Sequence, residues 1–445
     1  GAEATGSGVG VMSAVKAERY AANEGYGEDF LGLVPKPWLV SRLKDKATFN
    51  PSKSEIKELP KECTFAPMEK LKTDSLLTDV TVIPSNISGS YTYFRENDLL
   101  IAKVTPCFEN RNVAIAKNLT NGIGFGSSEI NVVRVSKKAN QRWFFYLFLS
   151  SGFIEAGASK MAGAGGLKRI PSIFLETFAF ALPPLSEQTA IAAYLDTKTA
   201  QIDRQIDLLS QKVTQYGKLK RSLINETVTR GLDKSVPMKD SGVEWIGEVP
   251  EHWEIQRIGT AFEERSEKVN DTDYPPLSVS MAGIVPQMKS VAKTDNNENR
   301  KRVAIGDYVI NSRSDRRGAS GISVYNGSVS VISIVLAPKR TFFGKYLHHL
   351  FRNYSFVEEF YRVGRGIVDD LWTTRYSVMK GIEFSYPSYE EQKLIADYLD
   401  EKTVQIDRIV TAINTQIAKL KDLRKALIND VVTGKIKVVS EGGEA

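Results

Sequence analysis

Several short, glycine-rich stretches of this 445-residue chain carry arginine and lysine, the residues here with the clearest chemical capability. The segment NSRSDRRGASG places Arg313, Arg316 and Arg317 close together. A guanidinium is planar, permanently charged and forked, so it suits a phosphate or the edge of a guanine. Asp315 in the same run leaves a second reading open, an internal ion-pair loop. In the earlier half Lys168-Arg169 follows Gly163-Ala164-Gly165-Gly166, where missing side chains would let backbone amides approach an anion. The alternative there is a solvated basic loop ahead of a helix. Lys103, Arg111 and Lys160 complete the candidates of the first half, and Arg365 and Arg375 those of the second.

Other chemistries find little to work with. Glu55-Ile56-Lys57 has the E-x-K spacing of many nucleases, but such triplets arise freely in a chain with 25% charged residues. Tyr274-Pro275-Pro276-Leu277 lacks the polar first residue and the aromatic last residue that an amino-methyltransferase motif needs. No G-x-x-x-x-G-K-[ST] phosphate loop occurs. Three histidines and two cysteines, Cys63 and Cys107, make neither a disulfide framework nor an obvious zinc site. His348-His349 lies in an aromatic, helical stretch and is expected to be structural. A net charge of +6 and a pI near 8.9 are compatible with a polyanionic partner without requiring one. No apolar run approaches the roughly eighteen residues of a membrane span, so a soluble, cytoplasmic protein without a membrane partner is expected. Residues 1–22, small-residue-rich and without an initial methionine, are expected to be a tag or disordered tail.

The elements that must position these residues are duplicated. Moving 204 residues forward carries Glu187-Gln188 onto Glu391-Gln392, Tyr194-Leu195-Asp196 onto Tyr398-Leu399-Asp400, and Leu223-Ile224-Asn225 onto Leu427-Ile428-Asn429, without a gap. Within the first copy Ile206, Leu209, Val213, Tyr216 and Leu223 recur at steps of three and four; Val410, Ile413, Ile417, Leu420 and Leu427 repeat this in the second. That spacing predicts two long helices with a coiled-coil seam. Lys220 and Arg424 fall on the seam, each beside a leucine that could pack in its place; Lys212 and Lys218 fall on solvated faces. Each helix copy is preceded by a block with its own entry segment. Pro35, Trp38 and Arg42-Leu43 match Pro250, Trp253 and Arg257-Ile258 at an offset of 215. Between these markers the halves diverge. Strands are expected at Val113 to Ala116, Ile130 to Val135, Gly321 to Tyr325 and Val329 to Leu336, with helices at Arg142 to Glu155 and Phe343 to Tyr361.

The segments PPLSEQTAIAAYLDTKTAQID, INETVTRGLD, VPMKDSGVEWIGEVPEHWE, TPCFEN, GFGSSE and GAGGLKRIP together closely resemble the DNA-specificity subunit of type I restriction-modification enzymes, from about Gly25 to Lys437. The second block departs most, with Gly364-Arg365-Gly366-Ile367 and Thr373-Thr374-Arg375 where the first has GAGGLKRIP. The resemblance implies an α+β fold: two α+β target recognition domains separated by a pair of long antiparallel coiled-coil helices, with an internal pseudo-two-fold repeat. The expected boundaries are a tail at 1–22, recognition domain 23–183, helix region 184–233, recognition domain 234–384, helix region 385–437 and a tail at 438–445. It further implies a non-catalytic subunit that reads a bipartite, asymmetric site in double-stranded DNA. Two methyltransferase subunits that use S-adenosylmethionine on adenine would dock on it, and restriction/translocase subunits using ATP and Mg would join them. No cofactor is expected on this chain itself. The ten basic candidates then become expected DNA contacts, with base choice left open. Two other readings stay in play, a self-sufficient DNA methyltransferase or nuclease and a coiled-coil assembly scaffold.

Overall fold

The protein is described here as a computed structural model covering residues 34–438, apart from 87–88, 90, 165, 288–297 and 367–371. The expected tail at 1–22, and that at 438–445 beyond its first residue, lie outside the described residues. Packing divides the chain into two compact units: one runs to Leu208 and resumes at Gln416, the other is Leu209–Thr415. The long helices Leu185–Arg230 and Tyr389–Val432 therefore each contribute one part to either unit.

In the first unit an antiparallel sheet runs in the order Ala47–Phe49, Ile130–Val135, Leu99–Ala102, Val113–Ile115. Its strand Leu99–Ala102 is buried on both faces, and its side chains alternate between two cores. Leu99 and Ile101 enter the aromatic core around Trp143, Phe144 and Phe148, whereas Leu100 and Ala102 enter a second core with Phe94 and Val132. A further sheet joins Thr81–Val82, Cys63–Ala66, Ile123–Gly126 and Thr92–Arg95, its central pair parallel. The second unit repeats the logic. Tyr308–Asn311 lies between Ser333–Pro338 and Ser320–Ile322, with Tyr308 and Ile310 in one core and Val309 in the other. The entry strands close both domains in matching register: Leu39 pairs with Leu182, and Glu254 with Tyr386.

Three expected elements are interrupted. The helix expected at Arg142 to Glu155 is two, Gln141–Leu149 and Ser151–Ser159, because Ser150 is extended and its hydroxyl accepts the Phe153 N–H as a cap. Asn353 does the same between Gly344–Arg352 and Tyr354–Arg362, accepting from Phe356. The apolar run Val329 to Leu336 is a hairpin. Gly327–Ser330 pairs with Arg300–Val303, and Ser333–Pro338 pairs with Tyr308–Asn311, so the chain must turn between two sheets. The other strands lie where expected, at Val113–Ile115, Ile130–Val135 and Ser320–Ile322.

The helices are held to the domains by duplicated contacts. In the first unit Trp38 Nε1 donates to Glu187 Oε2 at 3.0 Å. The same indole lies against Gly434, where a Cβ would come 3.2 Å from Trp38 and 2.5 Å from Pro35. In the second unit Trp253 Nε1 donates to Glu391 at 3.1 Å and lies against Gly231, where a Cβ would come 3.3 Å from the ring. Gly231 and Gly434 follow the helix ends at φ +74° and +75°, the left-handed conformation that glycine adopts without Cβ strain. Gln188 bridges Pro183 O and Asn140 N; Gln392 bridges Pro387 O and Phe343 N.

Within each unit the two helix segments run antiparallel, since Asp203 meets Arg424 at 2.9 Å while Ile191 and Leu195 share a core with Ile428 and Val431. Lys220 meets Asp407 at 2.7 Å while Val228 packs with Ile395 and Leu399. All ten expected seam residues are half-buried. The basic residues keep their seam places and the neighbouring leucines point away, Leu219 and Leu423 being 52% and 54% exposed. A lysine or arginine stem can cover the seam while its head reaches an aspartate on the other helix.

One duplicated attachment has diverged chemically. Asp196 accepts from Arg142 at 2.6 Å and from Tyr146 at 2.7 Å, whereas Asp400 meets Lys345 and His349, each at 2.8 Å. Burial pushes His348 down to about 4 and His349 down as well; Arg352 adds repulsion to both and Lys220 to His349, while Asp400 pulls the other way. Burial works to raise Asp400, but hydrogen bonds from Lys345 and His349 outweigh it and hold the carboxyl low. Histidines depressed in the folded state bind more protons when unfolded, so their contribution is complete above pH 6.5 and is lost as pH falls towards about 4. The second unit should thus lose thermal stability across that window. Replacing the pair by the matching residues of the first unit, His348→Phe with His349→Tyr, should flatten the loss in calorimetric scans taken at successive pH values.

Candidate nucleic-acid interface

In the first unit three separate motifs converge. The segment Ala162–Ala164 pairs with Leu167–Arg169 as a two-stranded ribbon, and every described residue from Ala162 to Arg169 is exposed. TPCFEN cradles its base. Thr105 N donates to Lys168 O at 2.9 Å, Thr105 Oγ1 donates to Gly166 O at 2.9 Å, and Lys168 N donates to Thr105 Oγ1 at 3.0 Å. The end of GFGSSE supplies Glu129, whose two oxygens take the Arg169 fork at 2.7–3.0 Å. The hydrogen bond from Arg169 holds the Glu129 carboxyl below its ordinary range, with a further pull from Lys103, and Arg169 is raised in return.

The second unit builds the same base with other residues. Val104 bridges Arg169 in the first unit, and Arg313 bridges Thr373 in the second. Ile170 N donates to Lys103 O at 2.9 Å, and Thr374 N donates to Ser312 O at 3.1 Å. Thr373 is bridged on its other side by Arg365, so Arg313 and Arg365 flank one strand, with exposed Arg375 just beyond it. The expected correspondence of Thr373-Thr374-Arg375 with the end of GAGGLKRIP is thus realised in backbone register, while Ile367 of the same expectation lies outside the described residues.

The ten basic candidates differ in how free they are. Lys160 and Lys168 are exposed, and Lys103 is half-buried. Arg313, Arg316, Arg365 and Arg375 are exposed and form no ion pair among the described residues. Arg317 pairs with Glu358 at 3.0 Å and lies over the Tyr361 ring at 5.0 Å. Asp315 makes no ion pair among the described residues, so an internal ion-pair loop centred on it does not form. Arg111 is spent inside the fold: Nε donates to Leu149 O at 3.0 Å and Nη2 to Ser151 Oγ at 3.2 Å, and burial lowers its pKa. It ties the loop after TPCFEN to the break between two helices.

The sequence reading passed over the run Arg300-Lys301-Arg302, and the structure consumes it. Arg300 donates to Ser328 Oγ and O, Lys301 meets Glu264 at 2.7 Å, and Arg302 meets Glu267 at 2.9 Å. It also passed over Thr105, Glu129, Glu358 and Tyr361, whose partners lie tens of residues away. Glu55 of the E-x-K triplet pairs with Arg134, which also holds the buried Asp98 at 2.7 Å. Tyr274-Pro275 supplies carbonyls to Ser328 Oγ and N. Among the described residues no group of His, Cys, Asp and Glu could hold a metal ion, and no helix is long and apolar enough to cross a membrane.

The family model described as the type I restriction modification DNA specificity domain matches residues 35–213, which contain the whole first platform. Over 161 residues the chain is 36% identical to the EcoAI specificity subunit and 34% identical to the EcoEI specificity subunit, both of type I restriction enzymes of Escherichia coli. The chain belongs to the type I restriction-modification specificity family. These two matches cover 36% of the chain and 27% of each relative's length. The likeness to the MjaVIII specificity subunit of Methanocaldococcus jannaschii is weaker, 22% identity, but spans 91% of the chain and 94% of that protein. Among solved structures, one described as "Structural basis underlying complex assembly and conformational transition of the type I R-M system" superposes with a TM-score of 0.71 at 16% identity, over 91% of this chain and 99% of that one. The HsdS subunit of Thermoanaerobacter tengcongensis gives 0.54 at 17% identity, over 91% and 98%. The fold of the specificity family, two α+β domains separated by long helices, therefore extends over both halves.

If Thr105 holds the ribbon, Thr105→Val should remove its side-chain bonds at about 0.5–1.5 kcal/mol each. Amide hydrogen exchange should then quicken between Ala162 and Arg169 while the unfolding temperature of the protein stays nearly constant. Unchanged protection of the ribbon would mean that Glu129 and the backbone bonds suffice.

Proposed function

We propose that this chain is the DNA-reading subunit of a type I restriction-modification enzyme, with recognition domains at 23–183 and 234–384 that each read one half of a bipartite, asymmetric duplex site. The observation that carries this reading is the pair of platforms. Lys103–Ile170 and Ser312–Thr374 make the same backbone bond on duplicated supports, yet the side chains displayed beyond them differ. Equal frames with unequal displays suit a target whose halves differ. The proposed contacts are Lys103, Lys160, Lys168 and Arg169 in the first half and Arg313, Arg316, Arg317, Arg365 and Arg375 in the second. Arg111 contributes by fixing its loop. Phosphate contacts would supply affinity and register, and a few side chains the base choice.

Two methyltransferase subunits would carry S-adenosylmethionine to adenine in each half, and restriction/translocase subunits would bring ATP and Mg. This chain's part is to bind and orient the duplex.

Exchanging Thr48 to Phe180 for the same block of a relative should change one half of the methylated motif, mapped genome-wide, and leave the other half intact. A simultaneous change of both halves would make recognition a joint property of the domains and end the two-reader account. In the complex with methyltransferase, Arg313→Ala and Arg316→Ala should each lower the log-log salt slope of duplex binding by about 0.9 if they hold phosphates. Arg317→Ala should lower it less, since Glu358 already shares that charge. Slopes unchanged in both free-arginine variants would place those arginines off the DNA.

A further inference from the structure

The geometry points to Leu167 as a specificity-determining residue that contacts the 5-methyl group of a thymine in the half-site read by the first unit. The inference rests on the DNA-reading function proposed above and deepens it.

The element that carries Leu167 is unusual for this fold. The register Ala162–Arg169, Gly163–Lys168 and Ala164–Leu167 makes a ribbon two strands wide and exposed throughout its described residues. Such a ribbon fits the major groove of B-DNA, about 12 Å wide, and not the minor groove of about 6 Å. The two strands approach closely because Gly163 has no side chain: a Cβ there would lie 2.3 Å from the Leu167 carbonyl. Its base is fixed by Thr105 and by the Arg169–Glu129 fork, so the end bearing Leu167 is presented by a supported element.

A single exposed leucine ordinarily calls for no explanation. Leu167 differs in its setting. It is 53% exposed, contributes to no described core, and is the only large apolar side chain among the described residues of the ribbon. Lys168 beside it and Lys160 just before the ribbon are exposed cations, so an approaching polyanion would be drawn to the place where this apolar group projects. The base edges of the major groove present hydrogen-bonding groups and one apolar feature, the thymine methyl. Insertion as a wedge between base pairs, the other use of an exposed leucine, belongs to proteins working from the minor groove.

The test uses the full chain in complex with its methyltransferase subunits and duplexes bearing the mapped methylation motif. Each thymine of the half-site assigned to the first unit is replaced singly by uracil, which removes only the methyl group. At one position the wild-type complex should bind uracil DNA about four-fold more weakly, the worth of one buried methyl group. Leu167→Ala should weaken binding to thymine DNA by at least as much and bind the thymine and uracil duplexes alike. Leu167→Met should keep the discrimination, and thymines of the other half-site should be indifferent to all three proteins. The inference is overturned if no uracil substitution in that half-site affects the wild type, or if Leu167→Ala retains the full thymine-to-uracil ratio. A wild-type complex that does not prefer its own motif over unrelated duplex would instead overturn the DNA-reading function, and this inference with it.

Discussion

Each unit depends on one indole ring that meets two helix ends at once. Trp38 donates to Glu187 near the start of one long helix and packs on Gly434 just past the end of the other; Trp253 makes the same pair of contacts with Glu391 and Gly231. The contact is demanding at every partner. The ring must be large enough to reach both ends, the glycine must lack a Cβ, and the carboxylate must lie at the acceptor distance. Burial raises the Glu187 pKa, so the indole N–H offsets part of the cost of holding that carboxylate away from water. Because the helix ends are pinned, the strands that enter and leave each domain are brought side by side, Leu39 against Leu182 and Glu254 against Tyr386.

Electrostatics then sets the alignment of the helices. A seam of leucines alone would tolerate sliding by a turn, but a cation at one seam place that needs an aspartate on the partner does not. Lys220 with Asp407 and Arg424 with Asp203 are partly exposed, so each contributes on the order of 0–1 kcal/mol to stability. Their larger effect is on register. The attachment of each domain to its helix shows how much chemistry can change over constant geometry. Arg142 and Tyr146 around Asp196 become Lys345 and His349 around Asp400, which leaves acid sensitivity in one unit only.

The frame and the display are separable for a simple reason. The backbone bonds that place Ile170 on Lys103 and Thr374 on Ser312 involve no side chain, so either strand can change its residues without losing its place. Where a side chain must hold the display, as Thr105 and Glu129 do in the first unit, the second unit uses others, such as Tyr361, whose hydroxyl donates to the carbonyls of Asn311 and Arg313. Each display is thereby supported by its own domain.

Much of this organisation was legible in the residues. The gapless repeat from Glu187 to Asn429 determined two equal helices, their seam residues and their paired use, because helical periodicity and equal spacing are local properties that any window of the chain displays. The strands at Ile130–Val135 and Val113–Ile115 were legible for the same reason. Ser150 and Asn353 were not, since a capping residue inside an apolar stretch leaves the periodicity intact while breaking the helix. Nor could charge density reveal which cations are available. Arg300-Lys301-Arg302 is the denser run but is satisfied by Ser328, Glu264 and Glu267, and Arg111 faces inward, whereas Arg313 and Arg365 stay open. Whether a cation is free depends on which acids and carbonyls the fold brings to it from tens of residues away. The sequence by itself determined the duplicated frame and the residue types that could hold a polyanion. Only the tertiary structure decided which of them are presented and which are consumed, because pairing between distant charges follows from how the strands and helices pack.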